Sequence, residues 1–238
     1  RKVKIVCTLG PSSNSPERIS DLLSTGMNVA RLNFSHGTHE FHLNLIKQVR
    51  SQARAQKVYA AILQDLQGPK FRIGDLGSTQ FELSVDREFE FFSGDSFDSK
   101  SPDRIPIPPE TFALFAQSLE KGQSVFFDDG RLEAEMNHVD SKKIRLRSLS
   151  DGILTSRKGM NFPGAKMNVS PVTVKDEADL KFGLDQQVDA IALSFVSRAS
   201  DIEEVRTKIQ AHSNHSPLIF AKIENTEAVE NYESTMEV

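Results

Sequence analysis

The run Ala30-Arg31-Leu32-Asn33-Phe34-Ser35-His36-Gly37 closes an apolar segment that begins at Met27. It reads as a strand whose far end carries chemistry. Side chains alternate across a strand, so Arg31, Asn33 and Ser35 share one face while Leu32 and Phe34 take the other. A cation beside two neutral oxygen donors suits an anion next to a hard metal ion. A surface salt bridge followed by a turn uses the same residue types, and both readings stay open at this point.

Working outward, this strand is one of five short apolar runs, at residues 3–7, 27–32, 58–63, 189–195 and 218–223. Helical patterns separate them. Ser15, Pro16 and Glu17 form a helix start, Ile19, Leu22 and Leu23 give it an apolar face, and Gly26 ends it. A longer helix begins near His39, with Leu45, Ile46, Val49 and Ala53 on one side. Thr173-Val174-Lys175-Asp176 has capping-box character, with Gly183 as the expected stop. Ser200-Asp201-Ile202-Glu203 reads as another capping box, with Ile202, Val205 and Ile209 behind it. Val229, Tyr232 and Met236 open a last helical pattern. Strand–helix alternation argues a parallel sheet, which a doubly wound fold and a barrel both satisfy. Polar residues at several strand ends favour the barrel, where those ends converge.

The middle of the chain is different. From about Phe71 to Ser156 no long helical pattern is evident. Phe81, Leu83, Val85, Phe89 and Phe91 alternate, and Asp128-Asp129-Gly130 marks a hairpin between residues 125–127 and the alternating Leu132, Ala134 and Met136. The expected fold is therefore α/β: an incomplete TIM (β/α)8 barrel, about five of eight strands present, with an antiparallel β-barrel cap domain inserted after strand three. The expected boundaries are 1–69, 70–160 and 161–238.

Composition narrows the function. Of 238 residues 26% are charged and 38% hydrophobic, as in soluble globular proteins. The net charge of −4, with both signs interspersed, provides no basic footprint for nucleic acid. No apolar run nears the roughly 20 residues a membrane helix needs. With Cys7 as the single cysteine, no internal disulfide forms, and a cytoplasmic setting is expected. Cys7 itself reads as core. The chain opens on Arg1 and ends within a helical pattern at Val238, so both ends read as cuts.

Two further strand ends are chemically loaded. Lys222 and Glu224 share a face, with Ile223 pointing away. A carboxylate plus phosphate oxygens is a usual way to hold Mg²⁺, and an ammonium stabilises a transferring phosphoryl group. A structural ion pair is the plainer alternative. Asp65 ends strand three, and Gln67-Gly68-Pro69-Lys70 turns the chain into the insertion without matching P-loop spacing. Lys158-Gly159-Met160-Asn161-Phe162-Pro163-Gly164 reads as a hinge, or as a lid bearing a phosphate contact at Lys158. His36, His39 and His42 lack metal-ligand spacing and are taken as solvated.

These stretches resemble pyruvate kinase. The matching runs are Lys4-Ile5-Val6-Cys7-Thr8-Leu9-Gly10-Pro11, residues 26–37, Lys158-Gly159 through Pro163-Gly164, Asp179-Leu180-Lys181-Phe182-Gly183, Ser194-Phe195-Val196 and Lys222-Ile223-Glu224-Asn225. They follow the family order over nearly the whole chain. The resemblance implies phosphoryl transfer from phosphoenolpyruvate to ADP, giving pyruvate and ATP, with the cap closing over the substrates. It implies that Arg31 contacts the phosphoryl donor, that Lys222 stabilises the group in flight, and that Glu224 binds Mg²⁺ or Mn²⁺. Arg72 and Lys158 match nucleotide-phosphate contacts. Asn33, Ser35, Asp65 and the backbone at Leu66 match a monovalent-cation site.

One departure from the family pattern bears on that cation. Many members resemble Asp-Thr-Lys-Gly-Pro-Glu where this chain has Asp65-Leu66-Gln67-Gly68-Pro69-Lys70. Leu66 removes a hydroxyl, and the ammonium of Lys70 can stand in for K⁺. The family's K⁺-independent branch carries this pattern, so K⁺ is not expected to be required. The resemblance also implies a homotetramer and places a second metal carboxylate, a substrate-contacting threonine and a C-terminal domain beyond Val238. The 238-residue chain alone is therefore expected to be inactive. Two other readings compete: a truncated non-catalytic remnant, and another metal-dependent barrel enzyme acting on phosphoenolpyruvate or a keto acid.

Overall fold

The computed structural model describes residues 2–165, 167 and 169–238. The chain forms two compact units, one from the stretch up to Pro69 together with Ser170–Val238, the other Lys70–Val169. The insert thus ends nine residues later than the sequence boundary at 160. Phe162 is buried in its core, and Ala165 and Met167 pack against that core, which keeps this stretch in the insert.

The first unit begins with β1 (Val6–Leu9), α1 (Pro16–Thr25), β2 (Val29–Asn33), α2 (His39–Gln56) and β3 (Ala61–Asp65). Ser15 caps α1 by accepting the Arg18 N–H, and Gly26 closes it in the left-handed conformation, φ 114°. The insert supplies β4 (Phe81–Leu83), β5 (Glu88–Ser93), β6 (Arg104–Ile107), α3 (Pro109–Ser118), β7 (Ser124–Phe127), β8 (Leu132–Val139), β9 (Ile144–Ser148), β10 (Gly152–Leu154) and β11 (Met160–Asn161). The first unit then resumes with α4 (Val174–Asp185), β12 (Ala190–Leu193), α5 (Ala199–His212), β13 (Leu218–Ala221), α6 (Thr226–Glu230) and α7 (Tyr232–Met236).

In the first unit β1-β2-β3-β12-β13 form a five-stranded sheet whose paired strands are all parallel. Among the described residues the order follows the chain without reversal, with no switch point of the doubly wound kind. Ala30, Leu32, Ile62, Ile191 and Leu193 point to one face, where they share a core with Leu23, Leu45, Val49, Leu180, Val205 and Ile209 of the helices. The opposite face carries a small cluster of Leu63, Ala190, Ala192 and Val29. Its strand register places Arg31 beside Leu63, and Asn33 beside Asp65. Toward both edges this face exposes Val6, Leu218 and Phe220.

The insert holds a six-stranded sheet, β11-β7-β8-β9-β5-β6, and a β4–β10 ribbon. All the sheet's pairs are antiparallel except β5–β6. Phe89, Phe91 and Phe127 pack edge-on in its core. The Asp128-Asp129-Gly130 turn runs through positive φ at all three residues and joins β7 to β8 as the sequence suggests.

Three local expectations fail. Helix α3 lies where none was expected: Pro109 sits at its first turn, where proline is tolerated, and Phe112 and Phe115 are buried. Gly183 does not stop α4 but lies inside it, against strand residue Gln64. A Cβ there would fall 1.9 Å from Gln64 Oε1. The cap of α5 is also displaced, because Asp201 accepts the N–H groups of Ser197 and Arg198, making Arg198 the N-cap.

Gly183→Ala should push the buried Gln64 from its bond to the Asp179 carbonyl, at a cost of about 1–3 kcal/mol for overpacking. Urea unfolding of the variant against wild type checks this, and an unchanged midpoint would show that the helix and sheet yield freely.

Candidate active site

The first unit brings Arg31, Asp65, Lys222 and Glu224 together at the carboxyl ends of β2, β3 and β13. Asp65, the last residue of β3, is 2% exposed. Its Oδ2 accepts from Arg31 Nε at 2.8 Å and also from Arg31 Nη2. Its Oδ1 lies 3.3 Å from Lys222 Nζ. Arg31 Nη1 donates to Thr8 Oγ1 on β1 at 2.7 Å. Lys222 also reaches Glu224 Oε1 at 3.2 Å and Ser194 Oγ at 2.8 Å. Arg31, Lys222 and Glu224 keep about a third of their side-chain surface in solvent, enough to meet a ligand. A buried carboxylate is costly unless paired and hydrogen-bonded, and Asp65 is both.

The neighbouring turns are held by their backbones. Asn33 Oδ1 accepts the Ser35 N–H at 3.0 Å, an Asx turn. Phe34 N–H donates to the Asp65 carbonyl at 2.9 Å, and Leu66 N–H to the Ala192 carbonyl at 3.0 Å. Lys175 of α4 donates to the Phe34 carbonyl at 2.6 Å and to Asp179 Oδ2 at 2.5 Å. Buried Asp176 accepts from Gln67 N and Gly68 N. Asp65, Leu66, Asn33 and Ser35 thus lie on adjoining strand ends. The sequence reading named these four but missed the supports from Thr8, Ser194, Lys175 and Asp176. Ser194 continues the Ala190–Ala192 alternation by one step, a signal the sequence does contain.

His42 corrects the view of the three histidines as solvated. It is 2% exposed, stacks on Phe34 at 4.0 Å between centroids, and bonds through Nε2 to the His36 carbonyl at 2.8 Å. A carbonyl only accepts, so Nε2 carries the proton. Nδ1 is buried with no hydrogen-bond partner among the described residues. Burial, the largest cause, lowers the His42 pKa below its usual 6.5. His39 Nε2 pairs with Asp179 at 2.7 Å. Cys7, expected in the core, is only partly buried against it.

In the insert, Arg72 bridges Gly159 backbone to backbone, which brings it beside Lys158. Arg72 Nη1 donates to the Arg157 carbonyl at 2.9 Å. Lys158 Nζ lies 2.6 Å from Asp128 Oδ1 and holds that carboxyl below the usual range. Among the described residues no three His, Cys, Asp or Glu side chains cluster as a metal site. Glu224 offers one carboxylate, which fits an ion completed by phosphate oxygens and water.

Fold and site together define an α/β domain with paired cations and carboxylates at the ends of parallel strands. The model of the pyruvate kinase barrel domain matches residues 1–238, and the chain belongs to the pyruvate kinase family. It is 39% identical over 239 residues to a pyruvate kinase of Geobacillus stearothermophilus and 38% identical over 244 to one of Staphylococcus haemolyticus. Each alignment covers all of this chain and 40% of the relative. The chain thus spans about two fifths of these curated relatives. A crystal structure of a pyruvate kinase from Cryptosporidium parvum superposes with a TM-score of 0.90 at 33% identity, over 98% of this chain and 48% of that one. Among the described residues no helix is long and apolar enough to cross a membrane.

A lowered His42 pKa means the fold prefers the neutral ring. Its contribution to stability is complete above pH 6.5 and is lost as pH falls from 6.5 through the folded pKa. Unfolding midpoints of wild type and His42→Gln, compared from neutral to mildly acid pH, should converge as pH falls. Parallel curves would remove His42 from the pH dependence.

Proposed function

We propose that the full-length protein carrying this chain is a pyruvate kinase that moves the phosphoryl group of phosphoenolpyruvate to ADP. The observation that carries the proposal is the shared buried carboxylate: Asp65 joins Arg31 to Lys222, which also reaches Glu224 at 3.2 Å. In this reading Arg31 binds the phosphoryl donor and Lys222 stabilises charge on the phosphoryl oxygens. The bond from phosphorus to the enol oxygen breaks, and a bond to the terminal phosphate oxygen of ADP forms. The enolate then takes a proton at carbon and becomes pyruvate. Arg72 and Lys158 are the proposed nucleotide-phosphate contacts, and Lys158 exchanges Asp128 for phosphate. Glu224 would hold Mg²⁺ or Mn²⁺, which when bound neutralises phosphoryl charge.

The sheet is proposed to be five strands of an eight-stranded barrel with the insert as its cap. Its chain-ordered strands support this, as do Leu218 and Phe220, apolar and exposed on the face that a closed barrel fills. Because the relatives are much longer, activity is assigned to the full-length protein, and the 238-residue chain alone should not turn over. A cytoplasmic homotetramer is the proposed state by family likeness.

Lys222→Met in the full-length protein should lower kcat about 10²–10³-fold in an assay of pyruvate formation from ADP and phosphoenolpyruvate with Mg²⁺. Failure of the wild type to form pyruvate would overturn the proposed function.

Lys70 and Leu66 support a second expectation, independence from K⁺. Full-length enzyme in buffer free of sodium and potassium should work as fast as with added KCl. Strong activation by KCl would show that Lys70 does not replace the ion.

A further inference from the structure

The turn that follows β12 is given no part in the reaction proposed above, yet it touches both Lys222 and Glu224. Ser194 is 3% exposed. Its Oγ lies 2.6 Å from the Leu66 carbonyl and 2.8 Å from Lys222 Nζ. A serine hydroxyl has one proton and the carbonyl can only accept, so that proton is committed to Leu66. The remaining lone pairs face the ammonium. The backbone of the β3 turn therefore sets Ser194 as an acceptor toward Lys222.

The lysine has three N–H donors, and among the described residues it meets Ser194 at 2.8 Å, Glu224 at 3.2 Å and Asp65 at 3.3 Å. Of these three Ser194 is the nearest, and it is neutral where the other two are carboxylates. The two carboxylates neutralise the ammonium as well as orient it, whereas the hydroxyl orients it and leaves its charge in place. The next residue, Phe195, is a non-glycine in the left-handed region at φ 58°, a conformation that needs outside support. Its N–H donates to Glu224 Oε2 at 3.0 Å. Support comes from Gly68, itself at φ 67°, where a Cβ would fall 2.9 Å from Ser194 Cβ and 3.2 Å from Ser194 O.

We infer that Ser194 is a positioning residue for Lys222, aiming the ammonium from a turn whose next amide fixes Glu224. The inference rests on the phosphoryl-transfer reading of Lys222. The test uses the full-length protein with Ser194→Ala and Ser194→Cys, assayed for pyruvate formation and for thermal unfolding. Loss of a hydrogen bond to a charged group should lower kcat about tenfold to a hundredfold in Ser194→Ala. KM for phosphoenolpyruvate should stay within about threefold, because Arg31 still binds the donor. Ser194→Cys, with a thiol that is a weak acceptor, should fall between the two and keep its melting temperature.

Acetylation of Lys222 at fixed pH, followed by mass spectrometry, gives a readout that does not need turnover. Removing the nearest acceptor should speed labelling of Lys222 and leave other lysines unchanged. If Ser194→Ala does not fold, Ser194→Cys carries both readouts. Wild-type kcat and labelling in the folded variants would overturn the inference. So would losses of kcat and KM that simply track a lower melting temperature, since a merely structural serine behaves that way. A wild type without activity would instead overturn the phosphoryl-transfer reading, and the labelling would still report on Ser194.

Discussion

The site is organised around one constraint: Asp65 is buried and must be neutralised. Burying a lone carboxylate is costly, but here a guanidinium and an ammonium share its two oxygens. The partners come from β2 and from the end of β13, so satisfying one carboxylate draws three strand ends into a single geometry. Removing Asp65 would leave Lys222 with Glu224 as its carboxylate and take from Arg31 the one its Nε and Nη2 both reach, the kind of loss that makes a broken buried pair costly.

Around that centre the turns are fixed by side chains reaching carbonyls and amides. Lys175 and His42 hold the Phe34 and His36 carbonyls, and Asp176 holds the Gln67 and Gly68 amides. These supports come from α4 and α2, which are packed into the core and do not themselves carry the chemistry. Functional side chains kept in place by such secondary contacts need little rearrangement when a charged ligand arrives.

Much of this was readable from residue order. Alternation around Leu32 and Phe34 separates the face of Arg31 and Asn33 from the core, and that separation holds in the sheet. Lys222 and Glu224, two positions apart, likewise both lie within reach of one another. What escaped the sequence depends on contacts across the fold. Serine is common at strand ends, and nothing local shows that the proton of Ser194 goes to a carbonyl 128 positions earlier. Gly183 looked like a helix stop because glycine usually is one, but its role is to make room for Gln64. Helix α3 escaped because Pro108 and Pro109 stand together at its start, and proline interrupts a helix everywhere but in its first turn.

The chain-ordered sheet conceals one long gap. Ile62 N–H donates to Asp189 Oδ2 at 2.7 Å, and these residues are 127 positions apart, with the whole insert between them. Closing a flexible loop of that length costs about 4 kcal/mol of chain entropy plus a constant, before any contact rewards it. The insert has a hydrophobic core of its own and its sheet is built largely from neighbouring strands. If it condenses first, the effective loop shrinks and the β3–β12 pairing becomes easier to reach. The order of assembly is then written into the topology: the inserted unit acts as a knot tied in the slack, and the sheet closes over a shortened chain.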